Sequence, residues 1–167
     1  DRIKIGVIGG GMISQIAHLP FYLNNTRCEV VSVAESRSSL VSHLQRNFGI
    51  ASIHNNHKEL LNDSEISAVV IITPRLATAP IVLDALMKCK HVMVEKPLAH
   101  TASQATQLHE LAVRNSCLLS VGFMKRHDPG VQIARAHLQE LIRSGELGPM
   151  LLSRFYDFAR DYAFSFA

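Results

Sequence analysis

The chain has 167 residues, 47% of them hydrophobic and 19% charged, and a formal net charge of +3. That length allows one ordinary domain with part of a second and a sizeable core, and the composition excludes a disordered chain. The basic residues (Lys4, Arg27, Arg37, Lys58, Lys88) are scattered, which excludes the clustered basic face of a nucleic-acid binder, and no apolar run approaches the ~20 residues that cross a bilayer.

Short apolar, β-branched runs alternate with longer amphipathic stretches. Ile3 to Ile8 reads as a strand, followed by a helix from about Met12 to Leu23. Glu29 to Ala34 is a second strand, and Ser38 to Phe48 a helix stopped by Gly49. A short strand near Ala51-Ser52-Ile53 and a small helix over Lys58 to Leu61 follow. Ala68 to Thr73 is a continuous apolar run, as a strand buried on both faces requires, and Pro74 ends it. Pro80 to Lys88 has helical spacing, His91 to Val94 is a strand, Thr101 caps a helix reaching Asn115, and Leu118 to Val121 is a further strand. This alternation predicts an α/β fold, a doubly wound parallel sheet of the dinucleotide-binding type, over residues 1–122.

After Gly122 the rhythm changes. Pro129 to Ser144 reads as a long amphipathic helix, ended by Gly145 and Gly148-Pro149, and Met150 to Phe158 as a new strand. An apolar strand without sheet partners predicts that residues 123–167 begin a second, incomplete domain. Cys28, Cys89 and Cys117 are well separated, with no zinc or CxxC spacing, and are expected to be reduced, buried thiols of a cytoplasmic protein. No metal site is expected. The first residues, Asp1 to Lys4, carry no signal-peptide pattern.

Four constellations carry chemistry. Gly9-Gly10-Gly11 follows the first strand and opens a helix at Met12 and Ile13. Glycines there let backbone amides approach a pyrophosphate, which the helix N-terminus favours. Ser14 stands where a third glycine or an alanine is usual. Glu35 ends the second strand, 24 residues after Gly11, where a carboxylate accepts the hydroxyls of an adenosine ribose; the alternative is an ordinary solvated acid. Arg37, two residues on, suits a 2′-phosphate instead. The acid favours NAD and the arginine keeps NADP open. Thr73-Pro74 lies at the carboxyl edge of the sheet, where ligands of such folds bind, or simply stops a strand. Glu95-Lys96-Pro97 ends the fifth strand; a lysine there can reach a nicotinamide ribose and a substrate hydroxyl, favouring the alkoxide that develops as hydride leaves. The alternative is a surface lysine before a helix.

The glycine turn, His18-Leu19-Pro20, Glu35, Thr73-Pro74, the string VMVEKPLA (Val92–Ala99), the string VGFMKRHDPGV (Val121–Val131) and the closing SGELGP occur in order. Together they resemble the Gfo/Idh/MocA family of oxidoreductases, from Ile3 to about Phe155. The resemblance implies a longer chain, in which a nucleotide-binding domain joins an α/β domain built on a large open sheet that usually forms the dimer face, so the whole protein is expected to be a homo-oligomer. It implies NAD(P)-dependent hydride transfer between the cofactor and a secondary alcohol or ketone of a sugar, polyol or derivative. Lys96 matches the family's active-site lysine, and the bond before Pro97 is often cis. Met124, Lys125 and Arg126 match a segment that lines the nicotinamide and substrate pocket in inositol-dehydrogenase-like members.

Two departures accompany the resemblance. Members often carry a histidine where this chain has Thr78, and the family's aspartate–histidine acid/base pair falls beyond Ala167. His127 is a substitute base only in the weakest sense, because members commonly have an aromatic residue there. A non-catalytic dinucleotide-binding regulator and an inactive truncated piece remain as alternatives to a dehydrogenase.

Overall fold

The computed structural model describes residues 2–146, 148–154 and 156. They fall into two compact units, divided between Phe123 and Met124. In the first, strands β1 (Ile3–Ile8), β2 (Cys28–Ala34), β3 (Ile53–His54), β4 (Ala68–Ile71), β5 (His91–Val94) and β6 (Leu119–Val121) form one parallel sheet in the order β3-β2-β1-β4-β5-β6. A helical stretch joins β1 to β2; it contains a π turn over Ser14–His18 and continues as α1 (Leu19–Leu23). Helices α2 (Ser38–Phe48), α3 (His57–Leu61), α4 (Arg75–Met87) and α5 (Ala102–Arg114) make the other connections. This is a Rossmann-type sheet, as the alternation predicts.

Because successive side chains of a strand point to opposite faces, the sheet builds two cores. Ile5, Val7, Val33, Val70 and Ile72 pack with Leu19 and Leu44 on one face. Ile8, Val69, Ile71, Val92 and Val94 pack with Leu60, Leu61, Val82, Leu86 and Leu108 on the other. Fully burying a side chain of this size is worth about 1.5–3 kcal/mol, so the apolar runs read in the sequence are what hold the sheet.

Local signals fix most boundaries. Gly49, at φ 66°, ends α2, and the Thr101 side chain accepts from the Gln104 N–H at 3.2 Å to start α5. Helix α4 begins at Arg75, five residues before the predicted start at Pro80. Pro80 sits inside the helix and withholds a donor only from Leu76, whose side is 83% exposed, where water can substitute. Strand β3 is shifted to Ile53–His54, while Ser52 still accepts from the Val33 N–H through its carbonyl at 3.0 Å. The cysteines depart from expectation: Cys89 is exposed and Cys28 and Cys117 are half-buried, because all three sit at strand ends or in loops rather than inside strands.

In the second unit, a 3₁₀ turn (Met124–His127) precedes α6 (Pro129–Ser144). The Asp128 carboxylate caps α6 by accepting from the N–H groups of Gly130 and Val131, and Gly145 closes it at φ 69°. Met150 to Arg154, and Tyr156, carry no strand. The rest of the strand expected over Met150–Phe158, and the aromatic tail, lie outside the described residues. No helix among the described residues is long and apolar enough to cross a membrane.

The glycine turn yields a direct test. A Cβ on Gly9, at φ 100°, would lie 2.1 Å from the Ile72 carbonyl oxygen, whereas one on Gly11 would meet nothing nearer than the Arg37 guanidinium at 3.5 Å. Gly9→Ala is expected to cost about 3 kcal/mol or more and Gly11→Ala less than about 1 kcal/mol. Urea unfolding of the two variants measures the contrast.

Candidate functional site

Four loops meet at the carboxyl edge of the sheet, where β1 lies between β2 and β4 and the order of connection reverses. Such a reversal leaves a crevice, because the chain leaves neighbouring strands toward opposite faces. Gly9, Gly10 and Gly11 follow β1, Glu35 and Arg37 follow β2, Thr73 and Pro74 follow β4, and Glu95 and Lys96 follow β5. A cavity of about 440 Å³ opens here, lined among others by Gly9, Glu35, Arg37, His57, Thr73 and Pro74. That volume falls in the range of small-molecule sites, roughly 300–1,000 Å³.

Glu35 is only 5% exposed. One of its oxygens accepts from the Gly10 N–H (2.9 Å) and Arg37 Nη2 (2.8 Å); the other accepts from the Arg37 N–H (2.8 Å) and Nε (2.9 Å). A carboxylate offers about four lone-pair positions, so this one is fully committed. Burial works to raise its pKa, but the hydrogen bonds from Arg37 and Gly10 and the arginine charge outweigh it, and the carboxyl is held below its ordinary range. Glu35 also raises the guanidinium of Arg37. The solvated-acid alternative is therefore not what the structure contains: Glu35 ties the glycine turn to the turn after β2. The Arg37 side chain is 58% exposed, and its outer N–H groups face away from the pair.

Met12 and Ile13 open the helix after the glycine turn and are exposed. The Gln15 side chain donates to the Gly10 carbonyl at 2.7 Å, holding the turn from its other side. Ser14 is fully buried, and its hydroxyl has no hydrogen-bond partner. Thr73 is buttressed by Thr78, whose buried hydroxyl lies 3.2 Å from the Thr73 hydroxyl and donates toward the Thr73 and Pro74 carbonyls at 3.3 Å.

At the end of β5, Glu95 Oε1 accepts from His18 Nε2 at 2.9 Å, and Oε2 accepts from the Lys96 N–H at 3.2 Å. The Lys96 side chain is exposed, and the Lys96–Pro97 bond is cis. His18 was legible only as part of a string; its pairing with a residue 77 positions away needed the fold. Met124, Lys125 and Arg126 are exposed and occupy the 3₁₀ turn of the second unit. Among the described residues no cluster of three or more histidine, cysteine, aspartate or glutamate side chains is arranged to hold a metal.

The strand order and this edge define a nucleotide-binding α/β domain. Residues 3–123 match the Gfo/Idh/MocA oxidoreductase family, NAD-binding Rossmann fold, and the chain belongs to that family. It is 32% identical over 153 residues to an inositol 2-dehydrogenase of Salmonella typhimurium, covering 90% of this chain and 44% of that one. It is 33% identical over 159 residues to an inositol 2-dehydrogenase of Rubrobacter xylanophilus, covering 92% of this chain and 43% of that one. The chain thus spans less than half the length of these relatives. A similar solved structure is a 3-ketoreductase from Actinomadura kijaniata in complex with NADP and TDP-benzene, with TM-score 0.75, 28% identity, and coverage of 87% of this chain and 43% of that one. Apo scyllo-inositol dehydrogenase from Lactobacillus casei shares the fold, at TM-score 0.73 and 20% identity, over 89% of this chain and 43% of that one.

The Glu35 network carries a pH signature. Because its carboxyl is held low in the folded chain, the unfolded chain binds the proton more readily. The resulting stability is present above the ordinary glutamate value of 4.5 and is lost as pH falls through the folded value. Glu35→Gln is expected to cost about 2 kcal/mol at pH 7. That difference should shrink on acidification below pH 4.5. Urea midpoints of both proteins across pH 3–7 check it.

Proposed function

We propose that the whole protein transfers hydride between a nicotinamide dinucleotide and a secondary alcohol or ketone of a sugar, polyol or derivative, and that residues 1–122 form its cofactor domain. The observation that carries this reading is the gathering of the glycine turn, the Glu35–Arg37 pair and Lys96 on one sheet edge. The relatives' names, inositol 2-dehydrogenase and 3-ketoreductase, supply the substrate class.

The residues present fit such a cofactor. Gly11 leaves the turn open to a close approach, since a side chain there would meet only Arg37. Backbone amides at Gly11, Met12 and Ile13 are placed to receive a pyrophosphate at the start of the helix. Thr73 and Pro74 bound the cavity beside them. Glu95 and Lys96 stand at the nicotinamide end. Bound nicotinamide supplies the hydride acceptor or donor. The Lys96 ammonium donates to the reacting oxygen and stabilises the negative charge that grows there. Met124, Lys125 and Arg126 are assigned to the substrate pocket, with residues 123–167 opening the substrate and oligomerisation domain. The protein acts in the cytoplasm and assembles as a homo-oligomer in this reading.

Glu35 favours NAD, as the carboxylate at the end of β2 commonly does. A second reading, NADP, is favoured by the saturated state of that carboxylate and by the outward N–H groups of Arg37, which suit a 2′-phosphate. Titration of the chain with NADH and NADPH, followed by nicotinamide fluorescence, tests the function, and binding of neither defeats it. Arg37→Ala is expected to weaken NADPH about tenfold or more and NADH less, since the 2′-phosphate loses its cation while Glu35, relieved of two guanidinium bonds, becomes free to accept ribose hydroxyls.

In the full-length protein, Lys96→Ala is expected to lower turnover about a hundredfold or more, while cofactor affinity changes by less than about tenfold. Assays against myo-inositol and related polyols measure it. Retained turnover in that variant removes Lys96 from the chemistry. Tight cofactor binding without turnover of any polyol or sugar by the wild-type protein supports the regulatory alternative.

A further inference from the structure

We propose that His18 is a positioning residue for the nicotinamide end of the site: it fixes the Glu95 carboxylate, and through it the backbone from which Lys96 projects. The proposal rests on the dinucleotide reading of the same edge. It arises from geometry on the far side of that edge from the glycine turn.

The Glu95 carboxylate is held from two directions, and a third side is closely approached. On one side His18 Nε2 lies 2.9 Å from Oε1; since a carboxylate only accepts, the ring nitrogen donates. On the second, Oε2 takes the N–H of Lys96. On the third side lies Gly122, just after β6, where an added Cβ would be in ordinary contact with Oε1 at 3.5 Å and tight against the Met93 side chain at 3.2 Å. The backbone is equally fixed: the Glu95 N–H donates to the Ile71 carbonyl at 2.9 Å and the Gly122 N–H to the Val94 carbonyl at 2.8 Å. Both partners are largely withdrawn from water, with side-chain exposures of 11% for His18 and 26% for Glu95. Hydrogen bonds to a charged group are stronger and more directional than neutral ones, and more so where water is thin.

His18 is itself aimed. It closes the π turn Ser14–His18, in which the Leu19 N–H reaches back five residues to the Ser14 carbonyl. Its ring stacks on Tyr22, with centroids 6.0 Å apart. A π turn inside a helix is a local cost that recurs at functional sites. Here it brings a ring nitrogen to the end of β5, 77 positions away in sequence. The arrangement leaves the exposed Lys96 side chain next to a residue hydrogen-bonded through both carboxylate oxygens and its N–H.

Two variants separate the donor from the ring. His18→Phe keeps the stacking on Tyr22 and removes the hydrogen bond. His18→Gln places an amide N–H near the position of Nε2 and keeps the bond. Each is titrated in the 167-residue chain with NADH and with ADP-ribose, which lacks the nicotinamide. The expected result is that His18→Phe weakens NADH about threefold to fivefold and leaves ADP-ribose unchanged, while His18→Gln restores NADH to near the wild-type value. Unchanged ADP-ribose binding also shows that the variant is folded. Equal loss of both ligands, failure of His18→Gln to recover NADH, or NADH binding by His18→Phe at the wild-type level each overturns the proposal. Wild-type chain that binds ADP-ribose thus isolates a failure of this inference; wild-type chain that binds none of ADP-ribose, NADH and NADPH overturns the dinucleotide reading and this inference with it.

Discussion

The carboxyl edge depends on how closely the chain leaving β1 passes over the end of β4. Gly9 holds that crossing. Its φ of 100° is one that side-chain-bearing residues rarely adopt, and a Cβ would overlap the Ile72 carbonyl. The crossing is stitched on both sides: the Gly9 N–H donates to the Ala34 carbonyl at 2.9 Å, and the Ile72 N–H donates to the Ile8 carbonyl at 2.8 Å. With β1 pinned between β2 and β4, the following helices depart on opposite faces of the sheet and the crevice opens between them. Gly9, Glu35 and Thr73 stand on the strand ends that this crossing joins.

Two acids organise that edge, and they work in the same way. Glu35 joins the glycine turn to the turn after β2; Glu95 joins the π turn to the end of β5. Both carboxylates are turned inward and satisfied by protein donors. The two cations beside them, Arg37 and Lys96, are turned outward. The negative charge is thereby spent on holding loops, and the positive charge faces the solvent from which a ligand arrives. An edge with inward acids, outward cations and an open helix start suits an anionic ligand, because fixed dipoles and charges need not reorganise when it binds. The short element α3 also reaches this edge: His57, at its first position, lines the cavity and is hydrogen-bonded to Asp84 of α4 at 2.7 Å.

The fold was legible because each strand and most helices carry local signals that agree with their place. Ile3–Ile8, Ser38–Phe48, His91–Val94 and Pro129–Ser144 begin and end where the apolar period, the glycines and the capping residues say. Helix α4 was less legible because a proline marks a boundary only when its missing donor matters, and at Pro80 it faces the solvent side of the helix. The cysteines were misjudged because an apolar neighbourhood in sequence does not specify burial at a strand's end. At the site, the sequence showed which residue types reach the edge but not what they do to one another. That Glu35 has no lone pair left, and that His18 finds Glu95, are facts of three-dimensional pairing over 25 and 77 positions.

The imperfect glycine motif and the histidine pairing lie on one helical segment. Ser14 occupies the position where close helix–strand packing favours a smaller residue, and it is fully buried with its hydroxyl unpaired. Such a group costs about 1–3 kcal/mol. The π turn begins at Ser14. One extra residue in a turn rotates the downstream side chains by about 100° relative to a regular α-helix. His18 is the last residue of that turn, and the rotation decides which way its ring faces. Ser14 and the residue that holds Glu95 are thus the first and last residues of one π turn.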